Sequence, residues 1–226
     1  MNAGPAPADP VGPVTIAVLA KAPVAGQVKT RLCPPYTPEQ AADLAGAALG
    51  DTLAAALETP GAGPPMLVLA GDATACPAPG FELVVQRGDG LDERIANAIT
   101  DVHRERGGPV LVIGMDTPQL TAELLSRPVA LLAAGSASVL GPAADGGYWA
   151  IGLQRPDPSL VLGVPMSTAE TGRHQIERLR AAGLEVDLLP VLVDVDDAES
   201  ARAVAEAAPS TSFARLLRST VPGAAA

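Results

Sequence analysis

The chain has 226 residues, of which 48% are apolar but only 2% aromatic, and it carries 25 acidic against 15 basic side chains. This length is enough for one large domain with a core of Ala, Leu and Val. The formal net charge of −10 argues against nucleic acid or an anionic membrane as a partner, since both attract the opposite charge. No apolar run has the length of a membrane span, and the N-terminus lacks the features of a signal peptide. We therefore expect a cytoplasmic protein.

Short apolar segments alternate with amphipathic ones along the chain. A capping box at Thr37–Gln40 starts the first predicted helix, and Ser167–Glu170 has the same pattern before a helix that ends near Gly183. Strands alternating with helices indicate an α/β fold with a mostly parallel sheet between helices. The predicted strands are 14–20, 66–71, 82–86, 109–114, 137–142, 148–153 and 184–193, and the other predicted helices are 91–106, 121–134 and 197–207.

We predict one domain over residues 14–218, because no change of composition within it suggests a linker. Disordered tails are predicted at residues 1–13 and 219–226. The sequence leaves the oligomeric state open.

A basic loop, AKAPVAGQVKTRL (residues 20–32), follows the first predicted strand and contains no acidic residue. Gly26 permits close approach of backbone N–H groups to a ligand. Lys21 and Lys29 add point charges, and Arg31 adds a planar fork that suits a phosphate. The pattern favours a phosphate-binding loop; the alternative is a set of solvated surface charges.

Carboxylates follow two later predicted strands. Asp116 comes directly after strand 109–114, and Asp194 and Asp196 follow the last strand region, where they share one face if the strand continues. Carboxylates near phosphates need a cation, and Mg²⁺ or Mn²⁺ is the expected ion. Asp116 and Asp196 are therefore predicted metal ligands. The alternatives are that Asp116 only starts a turn and that Asp196 only caps the next helix.

The turn Asp145-Gly146-Gly147, followed by Tyr148, joins two predicted strands. A plain hairpin turn would explain it. Its glycines would also admit a substrate to the main chain, with Asp145 receiving a hydroxyl group.

Five motifs together resemble those of the DUF2064 family of bacterial glycosyltransferase-A-like proteins, also called radical-SAM/selenodomain-associated transferase 1. The similarity extends over most of residues 14–207. KTRL followed by a GDxPxL motif also occurs in phospholactate guanylyltransferases. The motifs here are KAPVAGQVKTRL, QRGDGLDERI, GMDTPQL, GPAADGGYWAIGL and DVDDAES.

The resemblance implies a single-domain nucleotide-diphospho-sugar transferase fold of the GT-A, Rossmann-like type. It implies a divalent metal on Asp116, with Asp196 as the second ligand, and a substrate near Asp145–Tyr148. The residues that it places at the nucleotide or its phosphates are Lys21, Ala22, Pro23, Gly26, Lys29 and Arg31. Lys29, Arg31 and Asp116 would be the catalytic groups.

The chain departs from the family pattern at two places. At the DVDDAES segment, a Thr-Pro-Glu-Asp-Leu element of related nucleotidyltransferases is replaced by Asp-Ala-Glu-Ser-Ala at residues 197–201, and Asp92 stands where a glycine is common.

The function that we expect is a metal-dependent transfer from a nucleotide donor to a small-molecule acceptor, and glycosyl transfer from a nucleotide-diphospho-sugar is slightly favoured. One alternative is transfer of a nucleoside monophosphate from a triphosphate to a phosphorylated metabolite. The other is a nucleotide-binding protein without catalysis.

Overall fold

Seven strands form one sheet in the computed structural model, which describes residues 12–220. The order is β3-β2-β1-β4-β6-β5-β7, and within this sheet β6 runs antiparallel to both of its neighbours while the other pairs are parallel. The mostly parallel mixed sheet is therefore confirmed. The strands are β1 (Thr15–Lys21), β2 (Met66–Ala70), β3 (Glu82–Val85), β4 (Val110–Gly114), β5 (Ser138–Pro142), β6 (Tyr148–Leu153) and β7 (Val186–Leu188).

Helices cover both faces of this sheet. The α-helices between residues 12 and 220 are α1 (Pro38–Leu57), α2 (Leu91–Arg106), α3 (Ala122–Ala133), α4 (Thr171–Ala181), α5 (Ala198–Ala207) and α6 (Ser212–Ser219). Alternate strand side chains point to opposite faces: Ile16 and Val18 pack in the core with α1 and α3, and Ala17 packs in the core with α2 and α4. A sheet covered on both faces explains why its inner strands are continuously apolar.

Helix α1 begins at the predicted capping box, and helix α2 spans the predicted residues 91–106. The Thr37 side chain accepts a hydrogen bond from the backbone N–H of Gln40, and the Gln40 side chain accepts one from the N–H of Thr37. This reciprocal pair satisfies N–H groups that have no partner within the helix. Gly107 caps the C-terminus of helix α2, and its φ of 76° is left-handed, as is typical of a glycine cap.

The second predicted capping box is wrong. Helix α4 begins at Thr171, and no side chain caps it at Glu170. Ser167 instead has a left-handed φ of 58°, and the Thr171 hydroxyl accepts the N–H of Thr168 at 3.1 Å. The N–H of Gly172 donates to the carbonyl of Gly146 at 2.8 Å. A hydrogen bond to the β5–β6 connection therefore satisfies an N–H group at the start of α4, where the sequence predicted a local capping box.

The last strand region is much shorter than predicted. Strand β7 stops at Leu188, before Pro190, and only one isolated bridge, between Ala143 and Leu192, follows among the described residues. Because the strand does not continue, alternation cannot place Asp194 and Asp196 on one face.

Helix α6 was not predicted from the sequence. Its core residue Phe213 packs with residues of α1 and α5. Thr211 caps it, and the carboxylate of Asp51 in α1 accepts the N–H groups of Ser212 and Phe213 at 2.9 and 2.8 Å. The start of α6 is thus held by a side chain that is far away in sequence.

We expect Asp51→Ala to lower the free energy of unfolding by about 1–2 kcal/mol, because two N–H groups at the start of α6 lose their acceptor. Urea denaturation followed by circular dichroism measures this. Asp43→Ala, at an exposed position of the same helix, is the matched control, since it makes the same change in helix propensity. Equal effects of the two substitutions would contradict the prediction.

Most of the two predicted tails lies outside the described residues, namely 1–11 and 221–226. The domain boundaries therefore remain a prediction. Between residues 12 and 220, no helix combines the length and apolar character that crossing a bilayer requires.

Candidate functional site

The site lies where the connections of the sheet change direction. From β1 the chain continues to β2 on one side, whereas β4 lies on the other side of β1. The carboxyl ends of two such strands leave a crevice between their loops, and ligands bind there in open α/β sheets. Strand β1 ends at Lys21 and β4 at Gly114, two residues before Asp116.

A cavity of about 270 Å³ occupies this crevice. All three cations of the basic loop line it, together with the two predicted metal ligands. We call it the donor cavity. Its lining residues are Lys21, Gln27, Val28, Lys29, Thr30, Arg31, Met115, Asp116 and Asp196.

Lys29 connects the two groups of charges. Its side chain is only 9% exposed, and its ammonium lies 2.6 Å from Asp116 Oδ1 and 3.8 Å from Asp196 Oδ1. The ammonium also donates a hydrogen bond to the carbonyl of Val195. Its backbone is left-handed, with φ 49°, which is uncommon for a residue other than glycine. The sequence did not indicate this pairing of a loop cation with both carboxylates.

Other loop residues predicted at the nucleotide shape the loop and do not line the cavity. Gly26 has φ 73°, a turn conformation that glycine adopts without strain. Ala22 is buried and its N–H donates to the carbonyl of Ala70 at 2.8 Å. Pro23 is also absent from the lining. Lys21, in contrast, extends along the loop and donates from Nζ to the carbonyl of Gln27 at 2.9 Å.

Asp196 keeps its carboxylate in the cavity because its neighbour caps the next helix. Asp197 Oδ1 accepts the N–H groups at the start of α5, so the alternative that Asp196 caps this helix is wrong. The Asp196 carboxylate instead lies 3.4 Å from Arg31. The N–H of Val195 donates to the backbone carbonyl of Asp116 at 2.9 Å, which joins the two carboxylate-bearing segments.

Asp194 is a further acidic group at this site. Burial raises its pKa to about 7, and the nearby carboxylates of Asp116, Asp145 and Asp196 act in the same direction, while Lys29 opposes them. Its Oδ1 is buried and has no hydrogen-bond partner among the described residues. The sequence contained this residue in DVDD but gave no sign of its burial.

The acidic residues fit a divalent cation that binds together with a phosphate ligand. No three Asp, Glu, His or Cys side chains in residues 12–220 are placed to hold a metal by themselves. Mg²⁺ at nucleotide sites commonly uses one or two carboxylates together with phosphates and water. Asp116 and Asp196 are about half-exposed and lie around one ammonium, and the buried Asp194 Oδ1 has no hydrogen-bond partner among residues 12–220.

The raised pKa of Asp194 predicts a stability effect in metal-free buffer. An acid whose pKa rises from 3.8 to about 7 on folding destabilises the folded state as pH rises between these values, and the full cost is present above pH 7. We expect Asp194→Asn to raise the free energy of unfolding by roughly 1–2 kcal/mol at about pH 8 and much less at about pH 4. Denaturation in EDTA measures this, with Asp43→Asn as control. A pH-independent effect would contradict it.

The Asp145-Gly146-Gly147 turn joins antiparallel β5 and β6, so the hairpin alternative is correct for the backbone. Asp145 Oδ1 accepts the N–H of Gly147 at 2.8 Å. Gly146 does not face a substrate cavity: a Cβ there would collide with the carbonyl of Ala169. Close packing against the backbone at Ala169 therefore explains why residue 146 is a glycine.

Two further cavities adjoin Asp116. One is largely apolar, about 210 Å³, and extends towards Trp149 and Ile151. The other, which we call the acceptor cavity, has a volume of about 410 Å³ and contains Asp145, Gly147 and Tyr148 of the predicted substrate segment. Its lining residues are Arg31, Leu91, Ile95, Asp116, Asp145, Gly147, Tyr148, Met166, Ser167, Thr168, Ala169, Thr171, Asp194 and Asp196.

Asp92, which stands where the family commonly has a glycine, holds the loop around Gly163. Its carboxylate accepts the N–H of Gly163 at 2.9 Å. This contact ties the start of α2 to the irregular segment before α4, which contains Met166, a lining residue of the acceptor cavity.

A basic loop after β1 faces Asp116 after β4 and Asp196 beyond β7, at the switch point of a mostly parallel sheet. This is the architecture of the nucleotide-diphospho-sugar transferase fold. The sequence model of DUF2064, described as an uncharacterized protein conserved in bacteria, matches residues 54–168, just over half of the chain. The chain belongs to this family. A search of curated proteins found no match.

Solved structures with the same fold include three informative relatives. A Desulfovibrio desulfuricans G20 protein, proposed to be a nucleotide-diphospho-sugar transferase, is 28% identical, and the match covers 91% of this chain and 94% of that one with a TM-score of 0.83. Rv0371C of Mycobacterium tuberculosis H37Rv, complexed with manganese, is 24% identical over 86% and 98% of the chains, with a TM-score of 0.53. A CMP:2-keto-3-deoxy-manno-octonic acid synthetase complexed with CTP is 11% identical over 92% and 100%, with a TM-score of 0.58. The last two support the fold alone.

Proposed function

We propose that this protein is a metal-dependent transferase of the cytoplasm that takes its group from a nucleotide donor, with glycosyl transfer from a nucleotide-diphospho-sugar slightly favoured. One observation carries the proposal: the three loop cations and two carboxylates line the same cavity at the switch point of the sheet. The D. desulfuricans relative, proposed to be a nucleotide-diphospho-sugar transferase, supports it.

Each charged group of the donor cavity has a distinct role in the proposal. Asp116 and Asp196 would hold Mg²⁺ or Mn²⁺, which when bound would neutralise charge on the donor phosphates. Lys21 and Arg31 would contact the diphosphate, and Arg31 would add a planar pair of donors. Lys29 would leave the carboxylates and contact the phosphate at which charge develops.

In the glycosyl reaction, an acceptor oxygen forms a bond to the anomeric carbon, and the bond from this carbon to the diphosphate oxygen breaks. The electron pair of the broken bond stays on the nucleoside diphosphate, and the proton of the acceptor passes to a carboxylate of the acceptor cavity or to water. The cations of the donor cavity stabilise the growing negative charge of the leaving group more than they stabilise the intact donor. This difference accelerates the reaction.

The second candidate is nucleotidyl transfer with release of pyrophosphate. Three cations in one loop suit a triphosphate as well as a diphosphate, and the fold also occurs in a synthetase solved with CTP. A binder without catalysis is the third candidate, based on the changed DVDDAES segment. The Asp196 carboxylate nevertheless lines the donor cavity.

Product analysis with Mn²⁺ separates these candidates. The protein is incubated with either a panel of sugar nucleotides or a panel of nucleoside triphosphates, each with pooled small-molecule acceptors, and nucleotide products are separated by ion-exchange chromatography. Release of nucleoside diphosphate from a sugar nucleotide supports glycosyl transfer, and release of pyrophosphate from a triphosphate supports nucleotidyl transfer. Nucleotide binding without any product, with and without EDTA, would contradict a transferase.

A further inference from the structure

The acceptor cavity begins where the donor cavity ends. Arg31, Asp116 and Asp196 line both. A donor whose phosphates contact the loop cations would therefore present its reacting atom at this shared edge, and the second reactant would enter from the other side. The volume of about 410 Å³ is in the range of small-molecule sites.

The charges that line the acceptor cavity are almost all negative. Four carboxylates face it, against one guanidinium, that of Arg31. The Arg31 side chain is 79% exposed and lies 3.4 Å from Asp196, so it already has an acidic partner. A divalent cation on Asp116 and Asp196 would still leave the carboxyl groups of Asp145 and Asp194 at the acceptor side.

The remaining polar lining consists of hydroxyl groups. Ser167, Thr168 and Thr171 belong to the loop that leads into α4, and Ser167 is held in a left-handed conformation at the cavity wall. Hydroxyls and carboxylates accept hydrogen bonds from O–H and N–H groups. Neither group carries the positive charge that favours phosphate binding, whereas the donor cavity has three cations.

We propose that the acceptor cavity takes an uncharged or amine-bearing hydroxyl compound, such as a sugar, polyol or amino sugar, and rejects a phosphorylated acceptor. This inference rests on the proposed transferase function and makes it more specific. It favours glycosyl transfer over transfer to a phosphorylated metabolite. Asp145, on the exposed turn before β6, is the carboxylate best placed to receive a hydroxyl or ammonium group from solution.

The test measures binding of matched probes by calorimetry. The protein is first saturated with Mn²⁺ and the nucleoside diphosphate that binds most tightly, and then titrated separately with glucose, glucosamine, glucose 6-phosphate, glycerol and glycerol 3-phosphate. We expect each uncharged or amine-bearing probe that binds to do so about tenfold or more tightly than its phosphorylated counterpart. Asp145→Asn should reduce the preference for glucosamine over glucose, and Asp145→Lys should improve binding of the phosphorylated probes.

Two results would overturn the acceptor assignment and leave the transferase proposal intact. One is equal or tighter binding of the phosphorylated member of a pair. The other is no detectable binding of any uncharged or amine-bearing probe up to about 50 mM, a concentration at which even very weak ligands bind. If no nucleotide binds in the first titration, the proposed function itself fails and the acceptor assignment fails with it.

Discussion

Asp116→Asn is expected to lower turnover of the nucleotide donor by about a thousandfold or more, which exceeds the usual loss from one hydrogen-bond donor at a transition state. The asparagine side chain has the same size but no charge. It would weaken metal binding, and it would remove the anion that lies 2.6 Å from the Lys29 ammonium. Both losses affect the site where charge develops on the leaving phosphate. Steady-state kinetics of donor consumption with Mn²⁺ measure the effect, and electron paramagnetic resonance of free Mn²⁺ measures the accompanying loss of metal.

A matched control separates this chemistry from misfolding. Asp43→Asn makes the same chemical change at an exposed position of α1 and should leave turnover unchanged. The fold should survive Asp116→Asn because the backbone carbonyl of residue 116, which accepts the N–H of Val195, is unaffected. A folded Asp116→Asn protein with wild-type turnover would exclude a metal role for this carboxylate.

The strands and the first helices could be predicted because their signals are local. Strand β1 is apolar from Ile16 to Ala20 since the sheet is covered on both faces, and the Thr37–Gln40 capping box needs no partner elsewhere in the chain. The same reasoning placed Lys21 and Asp116 near each other, because both follow strands whose carboxyl ends meet at one edge of the sheet. These features depend on periodicity and position alone.

Features that depend on tertiary partners could not be predicted in this way. The start of α6 is held by Asp51, and the loop before α4 is held by Gly146, so neither boundary follows from the adjacent residues. The pairing of Lys29 with Asp116 depends on a left-handed backbone at Lys29 and on the position of Val195. The burial of Asp194 likewise depends on how the irregular segment after β7 packs, which no local pattern indicates.

Lys29→Gln is expected to change two binding equilibria in opposite directions. The Lys29 ammonium lies between the two carboxylates, so a metal that binds both of them would have to displace it. Removing this cation should raise the affinity for Mn²⁺ about tenfold in donor-free protein, since like charges no longer compete for the carboxylates. The same change should lower kcat/KM for the donor by about a hundredfold or more, because a phosphate contact is lost.

The glutamine keeps a side-chain N–H that can donate to the carbonyl of Val195, so the loop should retain its structure. Lys21→Gln is the control, because the Lys21 ammonium donates to the carbonyl of Gln27 and forms no ion pair with a carboxylate among the described residues. It should weaken donor binding and leave Mn²⁺ affinity unchanged. Mn²⁺ titrations without nucleotide and donor kinetics at saturating metal measure the two effects separately.

A parallel fall of metal affinity and donor affinity in Lys29→Gln would contradict this account. It would mean that Lys29 holds the carboxylates in position for the metal and does not compete with it. Opposite changes would instead mean that metal and donor enter together: the ion takes the two carboxylates, and the lysine that it displaces becomes available to the phosphates. The buried position of the Lys29 side chain favours this exchange, because a cation that is 9% exposed needs an anionic partner in either state.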